Sequence, residues 1–153
     1  MQPAASRFFV EGVRSMVTIT LKGREIPLLY TTWEMKQVQE EIAPLSRAIM
    51  MVLGRNPDDK DDQSKYGSAE HLESAAKLIR ILGNAGLEES GQEANLTDKK
   101  VMRSLRPGEL AGIINSCMDA MNEGMKSEIP PKEEDGPVDV TLEEMKKKEA
   151  KES

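Results

Sequence analysis

The sequence predicts a mainly helical α+β domain: a small N-terminal β-hairpin, about four helices after it, and a disordered C-terminal tail. Three observations carry this. Residues 17–21 alternate apolar and hydroxyl side chains, the period of a half-buried strand. Between residues 35 and 125, apolar side chains recur at spacings of three and four, the period of amphipathic helices. From residue 128, prolines and carboxylates take over. The chain of 153 residues therefore divides into an upstream or disordered extension (1–15), a single hairpin-plus-helices domain (16–127) and an acidic tail (128–153).

Residues 1–15 show no clear period and no helix cap. Glu11-Gly12-Val13 admits a purine-rich coding like a bacterial ribosome-binding site at ordinary spacing before the Met16 codon, so Met16 is the expected start. Val17, Ile19 and Leu21 form the first strand, Lys22-Gly23-Arg24 the turn, and residues 25–30 the return. Pro27 lacks a donor, which places the return strand at an edge. Thr31 or Thr32 caps the next element, whose stripe is Met35, Val38, Ile42, Leu45, Ile49 and Val52. Pro44 interrupts it, predicting a kink or two short helices, and Gly54 ends it.

Residues 55–67 read as a polar loop. Ser68 caps a helix with Leu72, Ala75, Ala76, Ile79 and Leu82 on its apolar face, closed by Gly83 and Gly86. Thr97 caps a short helix carrying Val101, Met102 and Leu105. Pro107 opens the next, with the clearest stripe in the chain: Leu110, Ile113, Ile114, Cys117, Met118, Met121 and Met125, with Gly124 as its end. In the tail, nine acids face five bases, a net −4 of the chain's −6. Thr141-Leu142-Glu143-Glu144 has the capping-box pattern for a short helix after Val138 and Val140.

Charge and composition narrow the function classes. A net acidic charge weighs against the basic face that supplies most nucleic-acid affinity, although an acidic chain can still hold one, so nucleic acid is not the expected partner. Apolar runs are far short of the roughly 20 residues that span a bilayer, and residues 1–15 do not make a signal peptide. A lone cysteine allows neither an internal disulfide nor a cysteine-based zinc site, which makes a cytoplasmic compartment the expectation.

No residue set carries a catalytic signature. His71, the one histidine, reads as exposed and without function, and Cys117 as core. Asp59, Asp61, Gln63 and Glu70 fall at calcium-loop spacing, but Ser64 stands where that loop needs glycine, so a solvated loop is expected. Lys99, Lys100, Arg103 and Arg106 form a basic strip that imitates the first half of a helix-turn-helix, yet the following helix has no Lys or Arg before Lys126. The strip reads instead as a solvated face pairing with the acidic tail. Cofactors and metals are accordingly expected to be none. The partner-binding candidates are the adaptable methionine face Met118, Met121 and Met125, with Val138, Val140, Leu142 and Met145 in the tail.

Two phrases carry a family resemblance: Ile19-Thr20-Leu21-Lys22-Gly23-Arg24-Glu25-Ile26-Pro27-Leu28 leading into a helix, and Leu105-Arg106-Pro107-Gly108-Glu109-Leu110-Ala111-Gly112-Ile113-Ile114 opening a helix that ends in Met121-Asn122-Glu123-Gly124. With the element order and the charged tail, residues 16–127 resemble the tail assembly chaperones of long-tailed bacteriophages and prophages, the group that includes the lambda-type G proteins. The resemblance implies a protein that is no enzyme, works in the host bacterial cytoplasm and is absent from the mature virion. It implies binding to the long hydrophobic tape measure protein until tail tube protein polymerises around it. It also implies a longer frameshifted product, for which adenine-rich codons at Lys146-Lys147-Lys148 would supply the slippery site. The rival readings are a small helix-turn-helix regulator and a structural tail or neck protein retained in the virion.

Overall fold

The computed structural model describes residues 7–9, 15–59 and 61–126. Its order is β1 (Arg7–Phe9), β2 (Ser15–Leu21), β3 (Arg24–Pro27), α1 (Thr32–Glu41), α2 (Leu45–Val52), α3 (Ala69–Glu89), α4 (Asp98–Arg103) and α5 (Leu110–Met125), with a single 3-10 turn at Pro107–Glu109 before α5. The hairpin-then-helices plan is the one the sequence predicts.

The hairpin forms because Lys22 and Gly23 both adopt positive φ, 53° and 79°, the geometry of a two-residue turn whose twist matches the strands. Leu21 then pairs with Arg24 and Ile19 with Ile26, antiparallel. Pro27 does lie on an edge strand, since the sheet order is β1-β2-β3. The other edge corrects the reading of residues 1–15 as patternless: Arg7–Phe9 pairs antiparallel with β2, Phe8 opposite Met16. Three residues are too few for a period to show, and the ladder bonds are supplied by a strand whose own pattern is clear.

Helix starts follow their local caps. Thr31 accepts from the Trp33 amide while its own amide donates to Glu34 Oε1 at 2.9 Å, a capping box. Ser68 accepts from the His71 amide and Thr97 from the Lys100 amide. At Pro44 the stripe splits into two helices, α1 and α2, rather than a kinked one.

α3 is the axis of the domain. Leu78, Ile79, Leu82 and Leu87 are fully buried and pack with Ile26 and Leu28 of the sheet side, Val38 and Val52 of α1 and α2, Val101 of α4 and Cys117 of α5. The helix does not close at Gly83 or Gly86; it runs on to Glu89, with Gly91 at φ 76° beyond it. The two glycines are contact points instead. A Cβ on Gly86 would overlap the Pro27 carbonyl oxygen, and one on Gly83 would sit 2.8 Å from a Leu96 methyl. α3 also lends its Leu82 carbonyl to the Leu29 amide at 3.1 Å, stitching helix to sheet. Gly124 likewise lies inside α5, where its missing side chain admits the Tyr30 carbonyl. Arg80, on the flank of α3, holds Glu41 of α1 and, at 2.6 Å, Asp98 of α4.

Candidate functional site

The methionine face does not exist as one open surface. Met121 is 7% exposed and belongs to the core, and Met118 is half-buried against it. Only Met125 stands free, at 63%. The helical spacing was real, but Gly124 draws this stretch of α5 onto the Tyr30 backbone, so Met121 turns inward and Met125 passes beyond the packed surface. Val138, Val140, Leu142 and Met145 lie outside the described residues.

His71 is also corrected: it is 1% exposed. Its Nδ1 accepts the Gly67 amide at 2.9 Å, which leaves Nε2 to donate to the Val52 carbonyl at 3.0 Å. The imidazole thereby caps the end of α2 from the start of α3, with the Tyr66 ring 4.6 Å away, centroid to centroid. Burial pushes its pKa down, and the Val52 bond only partly restores it. A loop of polar residues before the helix gave no sign of this, because the partner carbonyl is nineteen positions away. Cys117 is buried as expected, and burial pushes its thiol up to about 12, so it is no nucleophile at neutral pH.

In the aspartate loop, Asp58 pairs with Arg47 while Asp59 and Asp62 bond within the loop. Asp59 accepts from the Asp61 amide, and Asp62 from the Ser64 amide and the Asn56 side chain. Hydrogen bonds from Ser64 and Asn56 hold the Asp62 carboxyl at about 2. Glu70 pairs with Lys65 on α3's first turn, away from that set. No group of three or more histidine, cysteine or acidic side chains converges among the described residues.

Two surface features remain, and they lie on different faces of α4. The first is an apolar groove of about 300 Å³ between the start of α3, the end of α4 and the start of α5. Tyr66, Leu72, Met102, Leu105, Pro107 and Leu110 line it, with Arg106 at its rim. Tyr66 is 53% exposed, and Leu72 and Met102 are both more than a third exposed, although each sits on the stripe that elsewhere faces the core. The sequence offered Leu72 on an apolar helix face, and Met102 and Leu105 as apolar residues of the short helix. What leaves them open is the shortness of α4: it ends at Arg103, and the chain turns away at Pro107 before covering α3's first turns.

The second is a cleft of about 640 Å³ between the hairpin turn and α4. Lys22, Arg24, Lys99, Lys100 and Arg103 line it over a floor that includes Leu21 and Ile26. Arg24 donates to the Glu93 carbonyl and Lys100 to the Asn95 carbonyl, but none of the five cations pairs with a carboxylate among the described residues. The basic strip thus gains two hairpin cations that are distant in sequence and loses Arg106, which faces the groove instead.

No family model, curated protein or solved structure matches this chain. The two surfaces stand on their own chemistry. Among the described residues, no helix is long and apolar enough to cross a membrane.

Proposed function

We propose that this chain is a tail assembly chaperone of the long-tailed bacteriophage type, acting by protein–protein interaction in the host cytoplasm and leaving before the virion is complete. Its partner would be an apolar stretch of the tape measure protein, held until tail tube protein polymerises around it. The observation that supports this reading is the apolar groove lined by Leu72, Met102 and Leu105. A monomer that folds alone has no use for this opening, and large exposed apolar side chains grouped in a concavity mark a place where another chain packs. The groove suits one row of apolar side chains from an amphipathic helix, and Arg106 at its rim suits a carboxylate on that helix's polar side. The reading also draws on the family resemblance of residues 16–127. The rival regulator reading fares worse on charge: α5, which would be the reading helix, has no Lys or Arg and buries Leu110, Ile114, Cys117 and Met121.

The test is co-expression with the longest helix-rich product of the neighbouring genes. That product should be insoluble alone, soluble with this chain and co-purified with it. Leu72→Glu and Met102→Glu should each leave the fold intact and abolish the rescue. A long partner that stays insoluble with or without this chain would refute the reading. Presence of this chain in purified particles would move it to the structural class.

A further inference from the structure

The basic cleft is not used by that proposal. It joins three cations of α4's strip (Lys99, Lys100, Arg103) to two of the hairpin (Lys22, Arg24), and an apolar floor lies beneath them. Exposed like charges gathered without counter-charges repel one another, so a polyanionic or acidic occupant lowers the energy of the whole cluster. The chain itself contains one. Residues 128–139 hold Glu128, Glu133, Glu134, Asp135 and Asp139 against Lys132 alone, a net −4. Residues 140–153 hold four acids and four bases, so the tail's entire excess charge lies in its first twelve residues.

Position agrees with charge. α5 ends at Met125, one residue after Gly124 touches the Tyr30 carbonyl. From Tyr30 back along β3 to Arg24 is six residues, roughly 20 Å at about 3.3 Å per strand residue. From Lys126 to Glu133 the extended chain reaches roughly 23 Å, and to Asp139 roughly 43 Å. The acidic segment spans that gap, and tethering gives it an effective concentration of the order of millimolar at the cleft. The geometry points to residues 128–139 of the same chain as the occupant: Glu133, Glu134 and Asp135 meet Lys22, Arg24, Lys99, Lys100 and Arg103, and Val138 rests on the apolar floor. The tail then screens the cleft from nucleic acid and from other acidic surfaces.

Zero-length carbodiimide cross-linking of the 153-residue chain tests this, because it joins only lysines and carboxylates already in contact. Peptide mapping should find Lys22, Lys99 or Lys100 joined to Glu133, Glu134 or Asp135. The yield should fall about tenfold in about 1 M salt, where the screening length is roughly 3 Å. Links from the remaining tail acids Glu128 and Asp139 to the same lysines should also fall in the E133Q/E134Q/D135N variant, which keeps those two reactive carboxylates and leaves every described residue unchanged. Cross-links spread evenly over all lysines, including Lys36 and Lys65, would overturn the inference. So would links found only between isotopically distinct copies, or a cleft protected by short duplex DNA in a chain whose tail never cross-links to it.

Discussion

The two ends of α3 meet the rest of the molecule in opposite ways. Its C-terminal half is pressed onto backbone: Gly86 against the Pro27 carbonyl, Leu82 bonded to the Leu29 amide, and Leu87 fully buried. Its N-terminal half touches through side chains, with His71 inside and Leu72 outside beside the open groove. Backbone-to-backbone contact leaves no rotamer to adjust, so the first end is intolerant of added atoms. Side-chain contact can re-pack, and so the second end can receive a partner. On the proposed reading, stability and recognition are held by the same helix about four turns apart.

The contrast can be broken most sharply at Gly86. Gly86→Ala places a methyl where the Pro27 carbonyl oxygen sits, and helix and sheet must separate. The expected loss is about 4 kcal/mol or more, read as failure to reach a cooperative thermal transition. At the other end His71→Ala strands the buried Val52 carbonyl, removes the acceptor of the part-buried Gly67 amide bond and opens a cavity, at a cost of about 2–4 kcal/mol by urea denaturation.

The same residue gives a pH signature. Burial lowers the folded-state pKa of His71 below its ordinary 6.5, so the unfolded chain binds the proton first as pH falls. Its contribution is complete above about pH 6.5 and declines below it. Tm should drop between neutral pH and about pH 5.5, and His71→Gln, in the chain's only histidine, should flatten that slope.

Between the two ends, burial disfavours the Arg80 charge, but its hydrogen bonds to Glu41 and Asp98 more than offset this and raise its pKa. Arg80→Met should cost about 1–2 kcal/mol, with the loss concentrated in faster hydrogen exchange of α4. The smallest effect has the opposite sign. Tyr30 is buried with its hydroxyl unpartnered among the described residues, and burial, then the nearby Glu34 charge, raises its pKa. Tyr30→Phe should stabilise the sheet end by about 0.5–1 kcal/mol in the same denaturation assay.

Much of this fold is local enough to read in advance. Thr31, Ser68 and Thr97 cap helices because a side-chain oxygen reaches an amide two or three positions on. Gly23 makes the turn, and Pro44 and Pro107 break or open helices through constraints on their own residue. The surfaces were less legible. The sequence named the strip Lys99, Lys100 and Arg103 but could not add Lys22 and Arg24, which the hairpin turn carries to it from some eighty positions away. It read Met118, Met121 and Met125 as one face, while folding buried the middle one.

The sequence by itself determined where elements begin, their type and their order, because caps, turn φ angles and proline chemistry act within a few residues. Only the tertiary structure decided that Gly83, Gly86 and Gly124 are contacts rather than helix ends, that His71 is interior, and that Leu72 and Met102 are left uncovered. Those outcomes depend on which distant backbone or side chain arrives at a given face, and burial is a property of the pair rather than of the residue.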